Sequence, residues 1–192
     1  MQKIMFNDRF GLTKAALDLI KTMTRRIADD DGDIDSMEFK GFDSQGNAVF
    51  ASATGIARIK PKYKVGEVVA VAQSYKEIRE KYGIRSPIEY INRDRYEKSA
   101  GWNNKMFVRA SLMPNHIRIT NVRVERLQDI SDEDCLKEGI TKPTFDTFTF
   151  DGWKYFAYNP REAYAALIDK VSGKGVWKSN PWVFVYEFEL VK

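Results

Sequence analysis

Val122-Arg123-Val124-Glu125-Arg126-Leu127-Gln128-Asp129-Ile130-Ser131-Asp132-Glu133-Asp134-Cys135-Leu136-Lys137-Glu138-Gly139-Ile140 is the stretch whose reading decides the fold class. Its first half alternates valines with charged residues, the period of two of a half-buried strand. Its second half opens on Ser131, a residue that caps helices, and puts Asp132, Glu133 and Asp134 where a first turn favours negative charge. Gly139 follows Glu138 directly and can end the helix there. The stretch therefore predicts a strand, then a short helix with Glu138 at its end. Upstream, the inward set changes from Ile117 and Ile119 to Val122 and Val124, an odd step that predicts a β-bulge near Thr120 and Asn121.

Working outward, 105–127 reads as two strands separated by Pro114, and 2–6 as a first strand. Leu12, Ala15, Ala16 and Leu19 repeat at helical spacing and predict a helix over about 10–20. Asp29, Asp30, Asp31, Asp33 and Asp35 form a run too irregular for a helix and out of register with a calcium-binding loop. A hairpin is predicted from 37–42 and 48–53 around the turn Asp43-Ser44-Gln45-Gly46-Asn47. Residues 67–73 read as a buried strand that delivers Gln73, Ser74 and Tyr75 at its end. Ser86-Pro87-Ile88-Glu89 is a capping box opening a surface helix to about 98. Asn159-Pro160-Arg161-Glu162 starts another helix, whose Ala163, Tyr164, Leu167, Ile168 and Val171 form one apolar stripe before Gly173. Residues 182–191 read as a closing strand.

Strands outnumber helices and do not alternate with them regularly, so the expected class is α+β: a curved mixed sheet or small β-barrel with flanking helices, not a doubly wound sheet. The 192 residues are read as one domain, 1–192, with insertions at about 28–62 and 76–104.

Composition narrows the chemistry. With 43% apolar and 30% charged residues the chain is a globular one. Its longest apolar runs, 68–72 and 182–186, fall far short of the roughly 20 residues of a spanning helix. No signal-like segment opens the sequence, and a cytoplasmic protein without a membrane partner is expected. One cysteine, Cys135, and one histidine, His116, cannot assemble a closed His/Cys zinc site, so no metal or cofactor is expected. Gly173-Lys174-Gly175-Val176-Trp177-Lys178-Ser179 places Trp177 where a P-loop needs glycine, which argues against ATP. The 31 Lys and Arg exceed the 27 Asp and Glu by four, compatible with a local basic patch. Arg58, Lys60, Lys62 and Lys64 alternate along 58–64 and are expected on one side of an extended segment.

Four blocks carry a resemblance: Lys21-Thr22-Met23-Thr24-Arg25-Arg26 after the first helix, Gly66-Glu67-Val68-Val69, the stretch 122–140, and Asn180-Pro181-Trp182-Val183-Phe184-Val185-Tyr186-Glu187-Phe188. Together they resemble the ASCH family of the PUA-like superfamily, most closely its longer members often carried by phages. The resemblance implies a small PUA-like β-barrel and a cleft for RNA or a modified nucleoside. It also implies the residues of the small acetylcytidine amidohydrolases, whose lysine, threonine and glutamate match Lys21, Thr24 and Glu138. Gln73 and Ser74 stand where the family carries a basic and an aromatic residue.

The residues admit two readings. In the chemical one, neutral Lys21 takes the proton of the Thr24 hydroxyl and Glu138 protonates a leaving amine, while Arg25, Arg26, Gln73, Ser74 and Tyr75 bind the substrate or nucleic acid. Strand alternation sets a condition, since Lys21 and Thr24 can cooperate only across a bend. In the structural one, Lys21 compensates a helix C-terminus, Thr24 is a strand residue and Glu138 a solvated carboxylate, while Tyr75, Trp153 and Trp182 pack in the core. The leading expectation is an ASCH-type protein that recognises RNA or a nucleoside in a basic cleft. The alternatives are an amidohydrolase of N-acylated cytidine-type nucleosides, or a phage-related scaffold whose Tyr82, Tyr90 and Tyr96 contact proteins.

Overall fold

The computed structural model describes residues 1–28, 34–82, 97–150 and 155–191. In chain order its elements are β1 (Lys3–Ile4), α1 (Leu12–Leu17), β2 (Met23–Ile27), β3 (Glu38–Phe42), β4 (Ala48–Ser52), β5 (Gly55–Ile59), β6 (Val68–Val71) and α2 (Tyr75–Tyr82). There follow β7 (His116–Arg126), α3 (Asp132–Lys137), β8 (Thr141–Thr144), β9 (Thr147–Thr149), α4 (Pro160–Ser172), α5 (Val176–Ser179) and β10 (Trp182–Val191). The acidic run 29–33, the capping box at Ser86, Tyr90, Tyr96 and Trp153 lie outside the described residues.

The protein is α+β. Its main sheet has the order β1-β6-β7-β10-β2, with β1 parallel to β6 and the other pairs antiparallel. The expected bulge is present: Glu187 pairs with Asn121 but Phe188 with Ile119, which leaves Thr120 as the extra residue. Val183, Phe184, Val185 and Tyr186 of β10 are all buried because this strand lies between β7 and β2 and is covered on both faces. Ser131 accepts from the Asp134 N–H at 3.1 Å and caps α3, and Asn159 accepts from the Glu162 N–H at 2.8 Å and caps α4.

Three expectations are corrected. The described strands do not close into a barrel, since β1 and β2 are the two edges of the main sheet. β1 is two residues long, too short to complete the circuit. In place of a ladder, Arg26 donates across the gap to the Met5 carbonyl at 2.6 Å. Residues 105–112 form two 3₁₀ turns, Lys105–Phe107 and Ala110–Leu112, rather than a strand. Asn104 accepts from the Met106 N–H at 2.9 Å there, a local bond that competes with extended backbone. The hairpin β3-β4 gains a third strand, β5, pairing Ala48 with Ile59 and Ser52 with Gly55. This small sheet is continuous with the main core through Ala48, Phe50 and Ile59.

Candidate functional site

The site starts where α1 stops. Leu19 adopts a left-handed φ of 62°, a conformation that costs free energy outside glycine and turns the chain sharply. The Lys21 N–H then bonds the Ala15 carbonyl at 3.0 Å, and the Thr22 N–H bonds the Lys137 carbonyl at 2.9 Å. Lys21 therefore sits in the bend before β2 and escapes strand alternation, which meets the condition set by the sequence. On the other side, α3 ends at Glu138 and Gly139 follows with φ +102°, a backbone state that favours glycine.

These two turns bring opposite charges together. Lys21 Nζ lies 2.6 Å from Glu138 Oε2 and donates to the Glu138 carbonyl oxygen at 2.8 Å. Glu138 is 4% exposed, which overturns its reading as a solvated carboxylate. Lys21 does meet a helix C-terminus, but that of α3 rather than the one it follows. Burial lowers its pKa below the ordinary 10.5, against the opposing pull of Glu138.

Register places the next charge. Val185 pairs with Arg123 on one side and Arg25 on the other, so these two arginines share one face of the sheet. Arg25 donates to Glu125 at 2.6 and 2.9 Å, to Asp134 at 2.9 Å and to Glu138 at 3.1 Å. Burial works against its charge and is outweighed by the carboxylates, Glu138 first, so its pKa is raised. Arg123 closes the network on Asp134, Glu125 and Glu187. Arg25 is thus the buried centre of an ion cluster, and its guanidinium is occupied by carboxylates rather than offered to a phosphate.

Because β2 is an edge strand, side chains from both of its faces reach the cavity beside it. That cavity has a volume of about 270 Å³ and is lined by Lys21, Thr24, Arg25, Arg26, Glu138 and Tyr164, with Phe6, Leu12, Leu167 and Ile168 as apolar wall. Thr24 is 5% and Tyr164 2% exposed. Among the described residues neither hydroxyl has a hydrogen-bond partner, yet neither is a sealed, unsatisfied atom. Both residues line the cavity. Burial, with the Glu138 charge adding to it, raises the Tyr164 pKa well above 10.0, so the phenol stays protonated and can donate. The expected direct bond between Lys21 and Thr24 is not formed: the amine is engaged by Glu138, and the two residues meet only as walls of one cavity.

Other candidates lie elsewhere. Gln73 accepts from Asn115 at 2.6 Å, Ser74 exchanges bonds with Glu77 at the start of α2, and Tyr75 is buried in a second apolar cluster with Ile78, Val108 and Met113. None of the three lines the cavity. Trp182 is half-buried and packs on Phe39 and Phe50, with the Arg126 guanidinium 4.1 Å from its ring centre. Tyr82 is half-buried and bonds Asn115 at 2.9 Å, so it is not an exposed contact. Sequence reading missed Tyr164, which it took for plain core, and the carboxylates of Arg25. Arg123 and Glu125 gave a signal, since two charges on one face of a sheet covered by a helix need partners.

Comparison with protein families, with curated proteins and with solved structures finds no match to this chain. Among the described residues, no helix is long and apolar enough to cross a membrane.

Proposed function

We propose that the cavity recognises a modified pyrimidine nucleoside and hydrolyses the acyl amide on its base, with Thr24 as nucleophile, Lys21 as base and Glu138 as proton donor. The observation that carries this reading is the convergence of these three residues, from a bend, an edge strand and a helix end, on the lining of one cavity. The resemblance to the ASCH family supports it, and in this reading the curled main sheet is a PUA-like barrel with one seam left open.

The chemistry balances within the pair. Passing one proton across the 2.6 Å contact of Lys21 and Glu138 yields the neutral amine and the carboxylic acid that the reaction uses. The amine takes the Thr24 proton as the hydroxyl oxygen attacks the acyl carbon. The Glu138 acid protonates the base nitrogen as the C–N bond breaks. Water then attacks the acyl-threonine ester, giving one proton to the Glu138 carboxylate, while the Lys21 ammonium returns a proton to the threonine oxygen. The acid leaves and both groups regain their starting states. Tyr164 is a donor to the developing oxyanion.

Titration of N-acetylcytidine into the T24V protein, which cannot be acylated, tests the recognition step. Saturable binding that perturbs NMR signals of Lys21, Glu138 and Tyr164 is expected. Absence of binding contradicts the reading, and binding without turnover by the wild type reduces it to recognition alone.

A further inference from the structure

The open seam between β1 and β2 is basic. A cavity of about 280 Å³ occupies it, lined by Lys3 and Met5 from one edge, Arg26 and Ile27 from the other, and by Lys60 and Lys62. Among the described residues no carboxylate lines this cavity. Among the described residues none of its four cations forms an ion pair, whereas Lys21, Arg25 and Arg123 next door are each matched by carboxylates. The expected row of cations at 58–64 is divided: Arg58 faces Asp43 at 3.8 Å, Lys64 lies away from the seam, and Lys60 and Lys62 turn to it.

Three of the four cations are anchored. Lys3 donates to the carbonyls of Met106 and Val108 at 2.6 and 2.8 Å, and Arg26 is anchored on Met5. The Lys62 N–H donates to the Tyr186 hydroxyl at 2.9 Å, its carbonyl accepts from Gln2 at 3.2 Å, and its ammonium lies 5.6 Å from the Tyr63 ring centre. Four unmatched cations around one small cavity repel one another until an anion joins them. Arg26 and Ile27 line both this cavity and the one that holds Thr24, so the two adjoin along β2.

We infer that the seam holds a phosphate of the ligand, and that the substrate is a nucleotide, free or within an RNA strand, rather than a bare nucleoside. The identity of the attached base rests on the nucleoside reading above; the anion site rests on the seam itself.

Affinities of the T24V protein for N-acetylcytidine, its 5′-monophosphate and a short oligoribonucleotide carrying one N-acetylcytidine test this, with K60Q/K62Q added as the comparison. The phosphorylated ligands are expected to bind about tenfold or more tightly than the nucleoside at low salt, an advantage that salt erodes and that K60Q/K62Q abolishes. An oligoribonucleotide that outbinds the monophosphate assigns the seam to RNA; equal affinity of those two assigns it to a mononucleotide. Equal affinity of all three ligands, or an advantage that survives K60Q/K62Q, overturns the phosphate site and leaves the nucleoside reading standing. If the nucleoside reading is the one that fails, N-acetylcytidine does not bind, and inorganic pyrophosphate decides the seam alone. It shifts the amide signals of Arg26 and Lys62 in wild type but not in K60Q/K62Q, or the phosphate site is overturned as well.

Discussion

Lys21 Nζ and Glu138 Oε2 are 2.6 Å apart, and neither side chain is more than 5% exposed. The other oxygen of the same carboxylate faces Arg25 at 3.1 Å, so Glu138 carries a cation on each side. Removing one member of a buried pair strands the other, at a cost of about 3 kcal/mol or more. E138Q is therefore expected to lose about 3 kcal/mol, and K21M less, because Arg25 still neutralises Glu138 in K21M. Urea unfolding at unchanged m-value measures both; a larger loss for K21M contradicts the shared-carboxylate arrangement.

Acid stability follows from Asp134. Burial pushes its pKa up, but the bond from Arg25 and the charges of Arg123 and Arg25 outweigh that, and the net shift is below 3.8. A carboxylate with a lowered folded pKa stabilises the protein above the unfolded value, and the contribution is lost as pH falls through the lowered one. D134N is expected to be less stable at neutral pH and to show a shallower loss of stability below pH 3.8. An unchanged acid slope in D134N argues against the cluster.

Lys21 gives the opposite limb. Its folded pKa is below 10.5, so stability rises as pH climbs from the lowered value to 10.5, where the unfolded chain still holds the proton. The difference in stability between wild type and K21M should change over that window and be flat below it. The proposed chemistry uses the one proton that Lys21 and Glu138 share, so kcat/KM is expected to fall as pH rises through the same lowered value and strips that proton from the pair, and K21M to lose most of the activity.

Gly139 holds Glu138 in position. At φ +102° a side chain is strained, while the space for a Cβ is ordinary, with Leu12 at 3.5 Å and the Lys21 Cβ at 3.6 Å. G139A is expected to cost about 1–2 kcal/mol through the backbone alone. Unfolding that matches wild type shows that the end of α3 adapts freely.

Much of this was legible from periodicity and caps. Ser131, Gly139 and Asn159 marked helix ends because their reasons are local, and the step from Ile119 to Val122 marked the bulge because a strand has one period. α2 was missed: its mixed charge hides the two buried residues, Tyr75 and Ile78, that fix it against the second cluster. The site was legible in its members but not in its pairing. Nothing near Lys21 in sequence announces that Glu138, 117 residues away, takes its amine, nor that Arg25 gathers three carboxylates. Those contacts depend on strand order, which hydrophobic period does not encode.

Thr24 bears the central claim. Its hydroxyl has no partner among the described residues, so T24V is expected to keep stability within about 1 kcal/mol of wild type while losing about a thousandfold or more in turnover. The decisive measurement is the chromatographic release of cytidine and acetate from N-acetylcytidine by wild type and T24V under identical conditions. The account predicts equimolar cytidine and acetate from wild type and none above background from the variant. No release by folded wild type, or equal release by T24V, contradicts it.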